Sequence, residues 1–329
     1  MTRYVLGRIA TLVPMLLVVC ALTFALLDLA PGDPALRIAT SLANGPPDLS
    51  RVEELRVELG LDDPLPVRFG RWLGDVVQGD FGRSAIDGAP VTERVIGALG
   101  PTLLLTGSGL IVSILGGLVL GSAVGLLPDR GPTRVVRRAI MAGTGISFVI
   151  PAFLVALGGL WFFAVDLGWF PAGGMSDPGE PRTVGATIEH LVLPAVILGI
   201  GTNLGVFTRL IAAGVEEQLD AEFVRNARSR SIGPGRIVSS HVVRTSIIPL
   251  VAQVGSSMAY LVGGAYAVEV VFGWPGLGRM AVEAARDQDV TVILAVTVIS
   301  GLVVVTGNLI ADVLLGVIDP RVRLARIGS

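Results

Sequence analysis

No lysine occurs in the 329 residues, and all 25 cationic side chains are arginine. A phosphate-binding loop of the G-x-x-x-x-G-K-[ST] type needs its lysine against the phosphates. Nucleotide hydrolysis by that route is therefore excluded on this chain. Cys20 is the single cysteine, so no intrachain disulfide can form. It lies in an apolar run and is expected to pack as a small apolar residue. His190 and His241 are the only histidines. They are far apart and have no cysteine cluster beside them, which gives no support to a dedicated zinc or transition-metal site. Charge is scarce as well. Charged residues make up 16% of the chain, hydrophobic residues 52%, and the mean hydropathy is +0.73. That is the composition of a multi-span membrane protein.

Six apolar segments are present, at residues 9–27, 101–127, 139–165, 191–213, 247–268 and 290–318. A hydrocarbon core roughly 30 Å thick needs about 20 apolar residues in helical form, and the pattern predicts six transmembrane helices in an all-α polytopic fold. The first run follows Arg3 and Arg8, exceeds a signal-peptide core and is expected to be a retained anchor. Residues 30–100 are polar and rich in Gly and Pro. Within them Ser50 and Glu53 form a capping-box pattern ahead of an amphipathic stretch ending at Gly60. A second helix is expected over 66–79, with Phe69, Trp72, Leu73 and Val76 on one face. The expected organisation is an anchor (1–29), a small helical extracytoplasmic subdomain lying on the membrane (30–100), a five-helix core (101–320) and a cytoplasmic tail (321–329).

Arginine placement gives an orientation. Arg130, Arg134, Arg137 and Arg138 fall in one short loop, a second group lies within residues 216–244, and Arg321, Arg323 and Arg326 form the tail. The opposite short loops carry Arg182, Arg279 and Arg286, with Glu283, Asp287 and Asp289 offsetting the last two. The positive-inside rule places both termini and the 216–244 loop in the cytoplasm.

That loop is the most informative stretch. It opens with Glu216, Glu217, Asp220 and Glu222 and turns basic with Arg225, Arg228, Arg230, Arg236 and Arg244, the order that suits a helix dipole. Gly233, Pro234 and Gly235 then break it. The pattern predicts a projecting helical hairpin, and by itself suits either a partner protein or anionic lipid. In the fifth apolar segment Gln253, Ser256, Ser257, Tyr260 and Gly264 recur at helical spacing. This polar stripe fits a cavity or subunit seam, and equally ordinary hydrogen bonding between helices. Asp28, Asp166, Glu269 and Asp312 sit at segment ends near water, which gives no proton relay through the bilayer. Ser300-Gly301 lacks the glycine two residues before the serine, so a serine protease reading fails.

Ordered motifs then resemble a known family. They are Pro31-Gly32-Asp33-Pro34, Leu59-Gly60-Leu61-Asp62-Asp63-Pro64-Leu65-Pro66, Gly79-Asp80-Phe81-Gly82-Arg83-Ser84, and Trp169-Phe170-Pro171. His190-Leu191-Val192-Leu193-Pro194, Phe272-Gly273-Trp274-Pro275-Gly276-Leu277-Gly278 and Asp319-Pro320-Arg321 continue the series. In this order they resemble the first permease subunit of bacterial ATP-binding-cassette importers of the dipeptide, oligopeptide and nickel group.

The resemblance implies a MetI-like permease core with its cytoplasmic coupling element at 214–245. Glu222, Phe223, Val224, Arg225, Ala227, Arg228, Ser231 and Gly233 would form the ATPase-docking loop, similar to the family's EAA loop. Ser231 stands where the family has a glycine, with Gly233 and Gly235 shortly after. Gln253, Ser256, Ser257 and Tyr260 would line the translocation path, and Phe272, Trp274 and Pro275 an outer gate or binding-protein contact. The implied partners are a homologous second permease, two ATP-binding subunits carrying ATP and Mg, an extracytoplasmic substrate-binding protein and membrane lipid, with no nucleic acid. No cofactor and no catalytic residue are implied on this chain. The implied cargo is di- or oligopeptide, with nickel or a glutathione-like solute as alternatives. An ion-coupled transporter acting alone is the rival from another class.

Overall fold

The computed structural model describes residues 2–29, 35–36, 39–40, 49–58, 60–146, 150–219, 221–229, 233, 236 and 242–318. Among these the chain is almost entirely helical: α1 (Thr2–Asp28), α2 (Leu49–Glu58), α3 (Leu65–Val77), α4 (Val91–Leu126), α5 (Gly131–Ile146), and α6 (Ala152–Gly159) continuing into a π-helical turn (Leu160–Asp166). Then come α7 (Val184–Thr202), α8 (Leu204–Leu219), α9 (Glu222–Ser229), α10 (Val243–Val271), α11 (Leu277–Asp287) and α12 (Val290–Ile318). Four helices among the described residues are long and apolar enough to cross a membrane, namely Val91–Leu126, Val184–Thr202, Pro249–Val271 and Val290–Val317. Of the other two expected spans, 9–27 overlaps the shorter apolar helix Val13–Leu26, and only the second half of 139–165 overlaps Ala152–Asp166.

Several boundaries differ from the sequence pattern for identifiable reasons. The segment expected at 139–165 is not one helix. α5 ends at Ile146, and Pro151 caps α6 with an extended ψ of 137°, since proline cannot donate to a preceding turn. The segment expected at 191–213 is divided at Asn203, whose φ and ψ of −113° and −13° end α7. α4 starts ten residues before the expected 101, because Pro101 is carried inside it. At 1.5 Å per residue its 36 residues extend about 54 Å, well beyond a hydrocarbon core. α2 begins at Leu49, so Ser50 lies inside the first turn and not at its cap.

By internal contacts the chain divides into two compact units, Met1–Thr102 with Pro275–Val303, and Leu103–Trp274 with Val304–Ser329. In the first, α3 rests on the end of α1. Phe24 meets Phe69 edge-on at 5.6 Å and Trp72 at 5.9 Å, and the Arg68 guanidinium lies 5.7 Å from the Phe24 ring centre. The amphipathic face expected at Phe69 and Trp72 thus has a partner. Ala35, Ala39, Val52 and Leu55 form a separate small core around α2.

The Gly79–Ser84 motif opens a loop that closes the start of α4. Thr92 Oγ1 donates to Gly79 O and accepts from the Phe81 N–H, while the Val91 N–H donates to Gly82 O. Gly79, Gly82 and Gly88 all have positive φ, the backbone region where a side chain is strained. The Ser84 hydroxyl donates to Asp289 Oδ2 at 2.5 Å with both residues buried. Asp289 Oδ1 in turn accepts from the Val292 N–H and caps α12. Asp87, at the loop tip, pairs with Arg94. That guanidinium first, and the Ala89 N–H second, hold its carboxyl below the usual aspartate value.

In the second unit a run of glycines lets helices approach closely. Ser113 Oγ lies 2.9 Å from the carbonyls of Gly109 and Gly199, joining α4 to α7. Further along, Gly117, Gly121 and Gly125 present bare backbone to α8. A Cβ at Gly121 would sit 2.6 Å from Thr208 O, and one at Gly125 would sit 2.9 Å from Ala212 O. This is the small-x-x-x-small packing of membrane helices. Gly121→Val is expected to lower stability by about 1–3 kcal/mol through overpacking, whereas Gly107→Val, where nothing lies within 4 Å, serves as the matched control. Thermal unfolding of the two variants in detergent measures the difference.

Candidate functional site

α8 runs through Leu219, so Glu216 and Glu217, expected to open the polar loop, belong to its last turn. A short turn follows, in which the Ala221 N–H donates to Gln218 O and the Val224 N–H to Ala221 O. α9 then takes up Glu222, Phe223, Val224, Arg225, Ala227 and Arg228, six of the eight residues expected to dock. Gly233 is exposed, and Ser231 lies outside the described residues together with most of the expected Gly233-Pro234-Gly235 break.

Two turns of polar helix cannot persist in water on propensity alone. Val224 supplies the missing stability. It is fully buried in a cluster with Phe207, Ile211 and Val215 of α8, Leu250 of α10, and Val242. Complete burial of a valine contributes about 1.5–3 kcal/mol. Glu222, Phe223, Arg225 and Asn226 remain exposed around it. Among its described side chains Val224 is the buried one, and α9 is otherwise a polar surface with Glu222 in its first turn matching the helix dipole.

What α9 rests on is fixed in turn. α8 meets α10 where a Cβ at Gly214 would lie 3.0 Å from the Ser246 Cβ. Arg137 Nη2 on α5 pairs with Glu216 Oε1 at 2.6 Å. Sequence pattern did not single out this pair. Four arginines in one loop indicate sidedness, yet nothing in their spacing says which of them turns back to a carboxylate some 80 positions later.

The polar stripe on α10 divides. Ser257 is buried and Tyr260 is 75% exposed. Both Ser256 and Ser257 donate to the Gln253 carbonyl, at 3.0 and 2.9 Å, so the two hydroxyls are satisfied within their own helix. Gly264 faces inward, where a Cβ would lie 2.7 Å from Thr202 Cγ2. Ser256 and Tyr260 share the exposed side with Ala252, Ala259 and Gly263.

The expected gate residues also separate. Phe272 and Trp274 are completely buried in a cluster with Leu105, Leu198, Leu261 and Val268, and of the three only Pro275 is exposed. Neither aromatic ring offers surface to a partner in this conformation. Their role here is to close the end of α10. Gly273 takes φ +59°, the Trp274 N–H donates to Glu269 O at 2.8 Å, and the Gly174 N–H donates to Phe272 O at 2.8 Å. His190 Nδ1 lies 2.9 Å from Gly173 O and fastens the same loop to α7. His190 Nε2 lies 3.7 Å from Asp177 Oδ1, and no group of three or more His, Cys, Asp or Glu side chains placed to hold a metal occurs among the described residues.

Replacing Val224 with aspartate should release α9, because burying an uncompensated carboxylate costs several kcal/mol on top of the lost apolar contact. Backbone amide exchange over 222–229 should rise by at least tenfold, while α7 stays protected. Unchanged exchange would mean that α9 is held by something other than Val224.

Comparison with known proteins bears on what this arrangement belongs to. Residues 117–324 match the family model described as the inner membrane component of binding-protein-dependent transport systems, and residues 1–93 match the model for its N-terminal region. The chain is 34% identical to the oligopeptide transport system permease protein AppB of Bacillus subtilis, covering 98% of this chain and 100% of that one. It is 37% identical to the glutathione transport system permease protein GsiC of Salmonella paratyphi A, covering 98% and 99%. A crystal structure of the MetNI methionine ABC transporter in inward-facing conformations matches with a TM-score of 0.52 at 16% identity, over 68% of this chain and 96% of that one, which establishes a shared MetI-like fold. The chain thus belongs to the inner-membrane components of binding-protein-dependent transport systems, the membrane-spanning permease subunits of ATP-driven importers.

Proposed function

We propose that this subunit pairs with a homologous second permease to form a translocation path for di- and oligopeptides, and that α9 is the element through which ATP-binding subunits drive it. The observation that carries the reading is α9 itself, a two-turn polar helix pinned at Val224 on the end of α8. Such an element can move as a rigid body with a docked partner and carry the end of α8 with it. Arginine placement supports a cytoplasmic position for this face and for both termini. ATP and Mg then sit on the partner chains, since this chain has no lysine for a phosphate-binding loop.

The path would run along the exposed side of α10, where Ser256 and Tyr260 stand among small residues. Ser257 is a packing residue in this scheme. Pro275 is the part of the 272–275 turn available to an extracytoplasmic substrate-binding protein. Cargo selection rests with that binding protein. Peptide is favoured by the oligopeptide relative, and the glutathione relative of similar identity supports a second reading in which the cargo is a glutathione-like tripeptide.

Ala227→Glu and Arg228→Glu are expected to reduce uptake and stimulated ATP hydrolysis to background in the reconstituted complex, with insertion unaffected. Normal transport in both variants would refute docking at α9. Tyr260→Leu should leave the complex intact on copurification and reduce uptake severalfold. If its uptake equals that of the unsubstituted complex, the exposed side of α10 is packing surface only. Uptake by the purified chain alone under an ion gradient would replace the scheme with a secondary transporter.

A further inference from the structure

α5 carries a surface that the coupling scheme does not use. Its inward side consists of Thr133, Arg137, Ile140, Met141 and Thr144, all half-buried or buried. The opposite side is exposed and divided. Arg134 and Arg138, one turn apart, form one edge, and Val135, Val136, Ala139 and Ala142 form the rest. Val135 is 68% exposed and Val136 50%. Arg130 stands one turn before Arg134, in a bend closed by Gly131 at φ +58° and by the Thr133 hydroxyl, which lies 2.7 and 2.6 Å from the carbonyls of Pro128 and Arg130.

The charges on this surface are largely unspent. Arg137 is committed to Glu216, and Arg134 Nε reaches Asp129 Oδ1 at 3.5 Å across exposed side chains. Arg130 and Arg138 have no ion-pair partner among the described residues. A helix with valines in the open and arginines along one border fits neither water nor the bilayer interior. It suits the boundary between them, with apolar side chains at the acyl level and guanidinium groups among phosphates.

We propose that α5 is an interfacial helix that binds anionic phospholipid of the cytoplasmic leaflet, with Arg130, Arg134 and Arg138 on the headgroup phosphates and Val135, Val136 and Ala139 at the acyl boundary. The leaflet rests on the orientation given under Proposed function. Anionic lipid is favoured over an acidic protein surface because the exposed valines adjoin the arginines, and because α5 precedes the apolar α6 by a few residues. The Arg137–Glu216 pair joins α5 to the last turn of α8, three residues before its end and six before α9 begins. Lipid held on one side of α5 therefore bears on the element carried by the other.

The test places one label on the proposed apolar side. Ala139→Cys in a Cys20→Ala background is labelled with an environment-sensitive fluorophore, and the permease is reconstituted in brominated phosphatidylcholine with and without phosphatidylglycerol. Quenching is expected in both, stronger with phosphatidylglycerol and weakened by salt. Each of Arg130→Gln, Arg134→Gln and Arg138→Gln should lower apparent phosphatidylglycerol affinity roughly fivefold. Lysine at the same three positions should restore most of it. Absence of quenching, or quenching indifferent to phosphatidylglycerol, overturns the proposal, as does loss of quenching when ATP-binding subunits are added, which would assign the face to a protein. An impermeant maleimide applied to right-side-out and inverted vesicles reads the leaflet separately from the lipid. Reaction from the outer side alone would overturn the leaflet and the orientation behind it, whatever the quenching shows.

Discussion

The separation of α4 and α8 is set by Gly117, Gly121 and Gly125, and the rest of the second unit is arranged around that separation. With no side chain on α4 at these positions, Phe207, Thr208, Ile211 and Val215 of α8 settle against backbone. Phe207, Ile211 and Val215 are then positioned to receive Val224, so the seat of α9 depends on glycines about 100 residues earlier in the chain. A methyl group at Gly121 would push α8 away from α4 and open the cluster that holds α9. Close backbone approach is available only where the chain gives up side chains, and dispersion across such a seam is what holds helices together where lipid tails are as apolar as the protein.

The same economy recurs at the end of α10. Glu269 is buried and its carbonyl accepts from Trp274, Gly273 supplies a positive φ, and the rings of Phe272 and Trp274 complete the core. Gly173 admits the Phe272 carbonyl where a Cβ would lie 2.6 Å away. The turn is thus built from interior contacts, and the surface it leaves is small.

Much of this was legible in the sequence. Long apolar runs separated by arginine-bearing loops specify a helical membrane protein, since only helices and closed barrels satisfy the backbone in lipid. The ordered motifs specified the family, and the acidic-to-basic run over 216–244 located α9. Four features were not legible for definite physical reasons. Asn203 is a weak helix breaker inside an apolar stretch, so the division between α7 and α8 leaves no trace in hydropathy. Pro151 caps the start of a helix, whereas Pro101 and Pro194 are carried inside one, and local sequence does not distinguish them because neighbouring contacts decide. Phe272 and Trp274 carry no periodicity that separates a buried aromatic from an exposed one. The split of the α10 stripe into an inward Ser257 and an outward Tyr260 likewise depends on which neighbours arrive, which spacing alone does not encode.

The hydrogen bond from Ser84 to Asp289 joins residues 205 positions apart. During synthesis at about 5–20 residues per second, roughly 10–40 s pass between the emergence of the two. The contacts that Thr92, Gly82 and Arg94 make with the loop over 79–90 are local in sequence and are available throughout that interval, whereas Ser84 has to wait for its acceptor. Asp289 is also the residue that caps α12, so the same event that finishes the early loop organises the entry of the last long helix. One buried hydroxyl–carboxylate pair thus ties the early loop to the last long helix, and it can form only after the chain has been made through Asp289.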